Sequence, residues 1–186
     1  MRMTKAFILM ILCIIAGEAA GATVEGVSFP DRHQTGSETL AVRGIGILKY
    51  ILVIKVYVAA LYLPEGVASN DALRDVPKRL EIHYFQPIKT GDFARSTEVW
   101  IRKNVDEKTY ESLRERVARI NALYEDVRPG DTYSLTYKAG RGTELALNGT
   151  PKGVIDGADF AAAMFSIWIG PHPLNESLRS ALLGVP

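Results

Sequence analysis

The chain is poor in the residues that build disulfide frameworks and metal sites. Its 186 residues include one Cys and three His. A single thiol cannot form a disulfide network or a cysteine-based zinc site. The three His, which are His33, His83 and His172, are too scattered for metal-ligand spacing. We therefore expect neither a metal nor another cofactor.

The chain also lacks an excess of charge of either sign. Lys and Arg number 22 and Asp and Glu number 21, which gives a net charge of +1 at pH 7. Proteins that bind nucleic acid need a basic surplus to replace phosphate counterions, so nucleic acid is not an expected partner. With 47% hydrophobic and 23% charged residues, the composition is typical of one globular domain.

The N-terminal segment, residues 1–22, has the pattern of a secretory signal peptide. Two basic residues precede an almost purely apolar run over residues 6–16, and small residues follow where signal peptidase requires them. The run is too short to cross about 30 Å of hydrocarbon as a helix. We expect cleavage after Ala22, which also removes Cys13, and a periplasmic or secreted domain over residues 23–186 without stable membrane insertion. An uncleaved N-terminal anchor is the alternative.

The most unusual stretch is the apolar segment Gly44–Leu63, which reads GIGILKYILVIKVYVAALYL. Its β-branched and aromatic residues predict one long bent strand or two consecutive strands. A helix is possible by length, but Gly44 and Gly46 at the start disfavour it. Because most positions are apolar, both faces should be covered, which is typical of the centre of a sheet. The polar segment before it, residues 31–39, indicates a loop.

The remaining patterns predict further strands and four helices. Alternation with period two and turn residues such as Asn148-Gly149 indicate the strands, while apolar spacings of three and four indicate the helices. The predicted strands cover residues 24–29, 79–85, 132–137, 143–147 and 152–155, and the helices begin at Thr90, Asp106, Gly157 and Asn175. The expected fold class is α+β, with one curved antiparallel sheet and helices against one face.

No motif establishes a reaction centre. Gly44-x-Gly46 opens a strand instead of a helix, so it does not predict a phosphate-binding loop. No Ser lies in a G-x-S-x-G context. Asp156 and Asp159 are better explained as carboxylates at a helix start than as a catalytic pair.

An apolar pocket is the alternative to a plain aromatic core around the long segment. Tyr57 on a central strand, next to Phe93 and Trp100 from a helix, would form a pocket with one or two polar groups. A plain aromatic core fits the same pattern. Lys49 and Lys55 stand among apolar neighbours, so each must reach solvent, pair with a carboxylate or meet an anionic ligand.

Several separated motifs resemble the secreted bacterial chalcone isomerase-like proteins. They occur in the same order over nearly the whole chain, and they are VEGVSFP at residues 24–30, Gly44-x-Gly46, KVYVAALYLP at residues 55–64, Leu147-Asn148-Gly149, Gly157–Phe160, Trp168-Ile169-Gly170 and residues 178–184. The resemblance implies an open-faced β-sandwich, in which a long curved antiparallel sheet carries a helical layer and a ligand cleft lies between them.

The resemblance also indicates where reactive positions would lie. Plant enzymes of this fold cyclise chalcones with an Arg that holds the attacking phenolate and with hydroxyl and amide side chains that bind water. At those positions this chain has Leu48 for the Arg, Tyr57 for a strand Thr, Phe93 for a helix Tyr, Trp100 for an Asn and Ile167 for a Thr. Only Tyr57 keeps a polar atom, so the charge that would stabilise an oxyanion is absent there. Lys49 or Arg43 could substitute, but neighbouring residues of a strand face opposite sides.

The same fold occurs in non-enzymatic fatty-acid-binding proteins, in which the Arg and a Tyr at the position of Tyr57 bind the carboxylate. We therefore expect a periplasmic, non-catalytic protein that binds a small apolar or amphiphilic molecule, either fatty-acid-like, lipid-like or aromatic. Because Leu48 replaces the Arg, a neutral or weakly polar lipid is favoured. The expected ligand-binding residues are Leu48, Lys49, Tyr57, Phe93, Trp100 and Ile167. The alternatives are an intramolecular lyase or isomerase and a structural or partner-docking module.

Overall fold

The computed structural model of the chain describes residues 21–51 and 53–185. The expected signal peptide thus lies outside the described residues, apart from Gly21 and Ala22. These two residues form the first half of the first strand, so cleavage after Ala22 would leave only its second half. The signal and domain boundaries stay predictions.

The described residues form strands and helices over most of their length. The strands are β1 (Gly21–Val24), β2 (Val27–Pro30), β3 (Arg32–Thr35), β4 (Glu38–Tyr50), β5 (Ile54–Pro64), β6 (Lys78–Tyr84), β7 (Thr132–Lys138), β8 (Gly142–Leu147) and β9 (Thr150–Ile155). The helices are α1 (Thr90–Asn104), α2 (Glu107–Ala122), α3 (Ala158–Ile169) and α4 (Glu176–Leu183), and a short 3₁₀ turn spans Ser69–Asp71.

Strands β3 to β9 form an antiparallel meander, the largest sheet of the described part of the chain. Each strand pairs with the next along the sequence. Local turn chemistry closes the hairpins: Asn148 and Gly149 both have positive φ, at 50° and 77°, as a tight two-residue hairpin turn requires. The single strand predicted over residues 24–29 is wrong: β1 and β2 form a separate hairpin, whose turn residues Glu25 and Gly26 both have positive φ. The predicted antiparallel α+β fold is confirmed.

The apolar segment folds as two consecutive strands, which was one of its two predicted forms. Strands β4 and β5 pair with Leu48 opposite Tyr57 and Lys49 opposite Lys55, with a register shift between Leu48 and Lys49. Strand β5 lies inside the sheet, between β4 and β6, and its residues 57–63 are buried. Its continuous apolar sequence is explained by cover on both faces.

Two further local predictions were wrong for reasons that lie outside the local sequence. The predicted loop contains strand β3, whose polar residues pair with β4; Thr39 Oγ1 donates a hydrogen bond of 2.8 Å to Gln34. Thr90 was expected to cap α1, but Lys89 holds that position and Thr90 is the first helical residue. Asp126, from a distant loop, accepts hydrogen bonds from the Thr90 amide and hydroxyl and so takes over the capping.

The helical layer covers one face of the sheet and contributes to the main core. Asp106 and Asn175 cap α2 and α4 as predicted, each accepting from a backbone N–H. Helix α4 packs on β4 at Gly44, where a methyl group would overlap the carbonyl oxygens of Ala181 and Leu182. The glycine therefore allows a close approach of helix and strand. Within the described ranges, each helix is too short or too polar to cross a membrane.

The opposite face of the sheet carries a smaller apolar cluster. It lies next to the β1–β2 hairpin and comprises the buried residues Phe29, Leu40, Val58, Ala60 and Tyr62. Alternate residues of β5 thus serve the two faces. Tyr57, Ala59, Leu61 and Leu63 point to the helical side and belong to the main core.

Candidate functional site

An apolar cavity of about 240 Å³ lies between the sheet and the helical layer. Strands β4 to β8 and helices α1 and α3 contribute side chains to its wall. The lining residues are Leu48, Val56, Tyr57, Ile82, Tyr84, Ile88, Asp92, Phe93, Ser96, Thr97, Tyr124, Tyr133, Leu135, Leu145, Ile167, Trp168 and Leu174. A cavity of this volume shows that the aromatic residues do not form a fully packed core.

Four of the six predicted site residues lie together in this wall. Leu48 comes from β4, Tyr57 from β5, Phe93 from α1 and Ile167 from α3. They lie on four elements and are up to 119 positions apart in sequence, and the meander and the helical layer bring them to one cavity. Their role in binding stays a prediction.

The other two predicted residues lie outside the cavity wall. Lys49 is exposed, because it follows Leu48 on β4 and successive residues face opposite sides. Trp100 lines a shallow surface depression, where the Lys103 ammonium lies 3.8 Å from its ring centre. It stands seven residues after Phe93, about 10 Å further along the helix at a rise of about 1.5 Å per residue. Thr97, one turn closer, lines the cavity instead.

A hydrogen bond between Trp168 and Tyr57 supplies the most defined polar feature of the wall. Trp168 Nε1 donates to the Tyr57 hydroxyl oxygen at 3.1 Å. Burial raises the pKa of the Tyr57 phenol above its ordinary value, and the bond from Trp168 only partly offsets this. The phenol therefore keeps its proton. Since indole can only donate, that proton is left for another acceptor.

A cluster of aromatic rings from β6, β7, α1 and the segment after α2 forms another part of the wall. Phe93 stacks on Tyr124 with ring centres 5.1 Å apart, and it meets Tyr84 and Tyr133 edge-to-face at 5.7 and 5.5 Å. Such pairs are favourable beyond the area they bury. The hydroxyls of two rings are already engaged, since Tyr124 bonds Thr97 and Tyr133 bonds the Glu125 backbone. Phe93, Tyr124 and Tyr133 therefore present mainly carbon to the cavity, whereas the Tyr84 hydroxyl has no hydrogen-bond partner among the described residues.

Cationic side chains do not line the cavity in the part of the chain that the structure describes. Asp92 is the one charged residue in the described wall, and it lies on the first turn of α1 next to Arg95, 3.5 Å away. Arg43 is engaged elsewhere: its Nε donates to the Leu183 carbonyl and its Nη2 to Ser69 Oγ. It is not available to replace the missing guanidinium at Leu48.

Sequence reasoning missed the cavity residues Thr97 and Trp168. The spacing of α3 places Trp168 on an apolar stripe with Phe160 and Met164, a pattern that indicates burial and gives no signal for the indole N–H. Two of the wall's tyrosines, Tyr84 and Tyr133, stand two positions from an apolar residue on the same strand face, Ile82 and Leu135, which signals burial but not a cavity. Among the described residues, no group of His, Cys, Asp or Glu has the geometry of a metal site.

The fold and the cavity define an α+β protein in which an antiparallel sheet and a helical layer enclose a small apolar chamber. The chain belongs to the chalcone isomerase-like family, because the sequence model of that family matches residues 21–184. The expected family and fold are thereby confirmed. That the chain is a secreted bacterial member stays a prediction.

A solved structure shares the fold. It is a fatty-acid binding protein of Arabidopsis thaliana, with a TM-score of 0.69 and 14% sequence identity over 89% of this chain and 96% of the other. At this identity the likeness shows a common architecture and not a common ligand. A comparison with curated proteins gave no match.

Proposed function

We propose that the protein is a non-catalytic carrier for a small neutral or weakly polar molecule, lipid-like or aromatic, and that it acts in the periplasm after loss of residues 1–22. The observation that carries the proposal is the apolar cavity, with a protonated phenol at Tyr57 and with no cation in its described wall. A structural neighbour of the same fold is a fatty-acid binding protein, which supports a binding role for this cavity.

The volume of the cavity limits the size of the ligand. At about 30 Å³ for each water-sized group, 240 Å³ holds about eight such groups. The cavity is larger than the roughly 150 Å³ that hold benzene in an engineered protein, and slightly below the roughly 300 Å³ at which typical ligand pockets begin. An eight-carbon chain or a small aromatic molecule fits, whereas a long acyl chain would extend through the opening.

The polarity of the wall selects a neutral ligand. An ionised carboxylate that leaves water without a cationic partner carries a large desolvation cost. Asp92 in the wall would add repulsion. The Tyr57 hydroxyl can instead donate to the oxygen of an alcohol, ketone or ester, a hydrogen bond worth about 1 kcal/mol.

The same features argue against turnover of a chalcone-like substrate. Cyclisation develops negative charge on oxygen, and preorganised positive groups or donors must stabilise it. In the described wall the family's Arg position holds Leu48, and Arg43 bonds Leu183 and Ser69. The donors that remain in the described wall are neutral hydroxyls, among them those of Tyr57 and Tyr84.

The proposal is tested by native mass spectrometry and solvent extraction of the protein recovered from cells. We expect a bound neutral amphiphile. Ser96→Trp places an indole in the cavity wall and should remove the bound species, while Ser112→Trp, on the exposed surface of α2, should retain it. A protein that is empty as isolated and takes up no alcohol or ester in solution contradicts the proposal. The mass of the recovered protein also tests cleavage after Ala22.

The isomerase alternative has its own readout. With a hydroxychalcone, we expect binding without acceleration of ring closure over the buffer rate. An acceleration that Tyr57→Phe reduces would support catalysis in place of simple binding.

A further inference from the structure

The tip of the β4–β5 hairpin is a run of exposed apolar residues. We call its described residues Tyr50, Ile51, Val53 and Ile54 the apolar tip. Leu52 lies outside the described residues; Tyr50, Ile51, Val53 and Ile54 expose 61%, 68%, 76% and 44% of their surface. Single apolar side chains on a surface are ordinary, but a contiguous exposed group marks an interaction site.

The fold of the chain does not account for these side chains. None of the four described ones belongs to either apolar cluster of the described core. Ile51 has a φ of 48°, a left-handed conformation that β-branched residues rarely adopt and that Gly or Asn would adopt more easily. The tip therefore has a sequence that neither the turn conformation nor the described core explains.

Two lysines lie directly behind the tip. Lys49 and Lys55 face each other across the two strands, an arrangement that is unfavourable unless an anion is near. Lys55 pairs with Glu25, whereas Lys49 is exposed and forms no ion pair within the described part of the chain. The tip thus combines an apolar end, an amphipathic Tyr50 and a positive charge at its base, which suits an anionic lipid surface.

The tip adjoins the cavity. Leu48 on β4 and Val56 and Tyr57 on β5 line the chamber, and the same strands continue outward into the tip. Ile51 lies three residues beyond Leu48, or about 10 Å at about 3.3 Å per residue. Interfacial protein segments bury their apolar faces about 5–10 Å deep, at the boundary of headgroups and acyl chains. Insertion of the tip to this depth would bring the cavity wall close to the headgroups.

We propose that the apolar tip docks the protein onto an anionic lipid bilayer, with Tyr50, Ile51, Val53 and Ile54 at the acyl boundary and Lys49 among the headgroups. The docking goes beyond the proposed carrier function and does not depend on what the cavity holds. Its use for exchanging a ligand between bilayer and cavity rests on that proposed function.

Vesicle flotation of the protein as recovered from cells tests the docking. Ile51→Ser/Val53→Ser should weaken binding to vesicles of phosphatidylglycerol and phosphatidylethanolamine at least tenfold. The matched control is Val99→Ser/Val154→Ser, at two residues that are 45% and 52% exposed on α1 and β9, and it should bind as the unmodified protein does. Lys49→Gln should weaken binding to these vesicles about fivefold and leave binding to phosphatidylcholine unchanged.

A second measurement does not depend on affinity. In a Cys13→Ser background the chain has no cysteine, so an environment-sensitive dye can be placed at Val53→Cys or, as a control, at Val154→Cys. Vesicles should shift the emission to the blue only at position 53. Mass spectrometry must show the same N-terminus in all proteins compared.

Three results would overturn the docking. They are no vesicle binding by the unmodified protein, equal vesicle binding by Ile51→Ser/Val53→Ser and the unmodified protein, or an equal loss of vesicle binding in Val99→Ser/Val154→Ser. If the protein instead self-associates through the tip, Ile51→Ser/Val53→Ser would abolish a dimer, and a second copy would be the occupant. Uptake of octanol from solution separates the two proposals. A tip variant that no longer docks should still take up octanol, whereas docking without any octanol uptake would contradict only the carrier function.

Discussion

Trp168 Nε1 donates a hydrogen bond to the Tyr57 hydroxyl oxygen across 3.1 Å and so joins helix α3 to strand β5 inside the cavity. The bond fixes the phenol as an acceptor on one side. Because burial holds its pKa above the ordinary value, the phenol retains its own proton for a ligand. Tyr57 is thus a neutral donor in an apolar wall.

Replacement of the Tyr57 hydroxyl should reduce the affinity only for ligands that can accept a hydrogen bond. Tyr57→Phe should weaken binding of an eight-carbon alcohol about fivefold to tenfold, because one hydrogen bond worth about 1 kcal/mol is lost. Binding of the alkane of equal length should change little. Calorimetric titration of both ligands gives the comparison.

The control for this substitution is Tyr110→Phe, which removes a buried phenol from α2 outside the cavity. It should leave both affinities unchanged. If Tyr57→Phe weakens binding of the alkane as much as binding of the alcohol, the Tyr57 hydroxyl does not act as a donor to the ligand.

The close packing of α4 on β4 gives a prediction about stability. Gly44→Ala should lower the free energy of unfolding by about 1–3 kcal/mol, because the added methyl meets the backbone carbonyls of Ala181 and Leu182. Gly91→Ala is the matched control, since a methyl there meets no atom of the described residues within 4 Å and lies in the first turn of α1. It should raise stability by about 0.5 kcal/mol. Urea unfolding measures both, and similar losses for the two variants would contradict this packing.

Lys78 gives a prediction about pH. Its side chain is fully buried, with Nζ 2.8 Å from the Arg74 carbonyl oxygen and 4.7 Å from the Tyr137 ring centre. Burial lowers the pKa of this lysine from 10.5 to about 8, although the charge of Asp75 partly offsets the effect.

The sign of the pH dependence follows from proton binding. Below about pH 8 the lysine is charged in both the folded and the unfolded state, so burial of its charge destabilises the folded protein fully. Between about pH 8 and 10.5 the folded protein releases the proton while the unfolded chain keeps it, so stability rises with pH. Lys78→Met should remove this rise of stability with pH. Lys108 is exposed on α2, so Lys108→Met should retain the rise. Denaturant midpoints from pH 7 to 10 measure the difference, and parallel profiles for all three proteins would contradict a lowered pKa at Lys78.

The parts of the fold that the sequence predicted depend on local signals. Asn148-Gly149 favours one turn type, Asp106 and Asn175 can cap a helix whatever packs beside it, and an apolar run such as β5 requires cover on both faces. Strand β3 was missed because its polar residues become a strand only through pairing with β4. The cap of α1 was missed because Asp126 reaches it from 36 positions away.

The cavity could be predicted only in part for a similar reason. The resemblance to relatives selected Leu48, Tyr57, Phe93, Trp100 and Ile167, and all of these except Trp100 line the cavity. Helix periodicity placed Trp100 on the same face as Phe93, but the position along the helix decides which residue reaches the cavity, and Thr97 does so. An unfilled volume also depends on how closely the layers approach, which no local pattern encodes.

The central claim, that the cavity selects a neutral guest, is tested most directly by titrating the protein with 1-octanol and with octanoate at pH 8. The two ligands have the same chain length, and they differ in the charge that must leave water. We expect octanol to bind at least tenfold more tightly than octanoate. Equal or tighter binding of octanoate would show that a cation serves the cavity, and it would contradict the account.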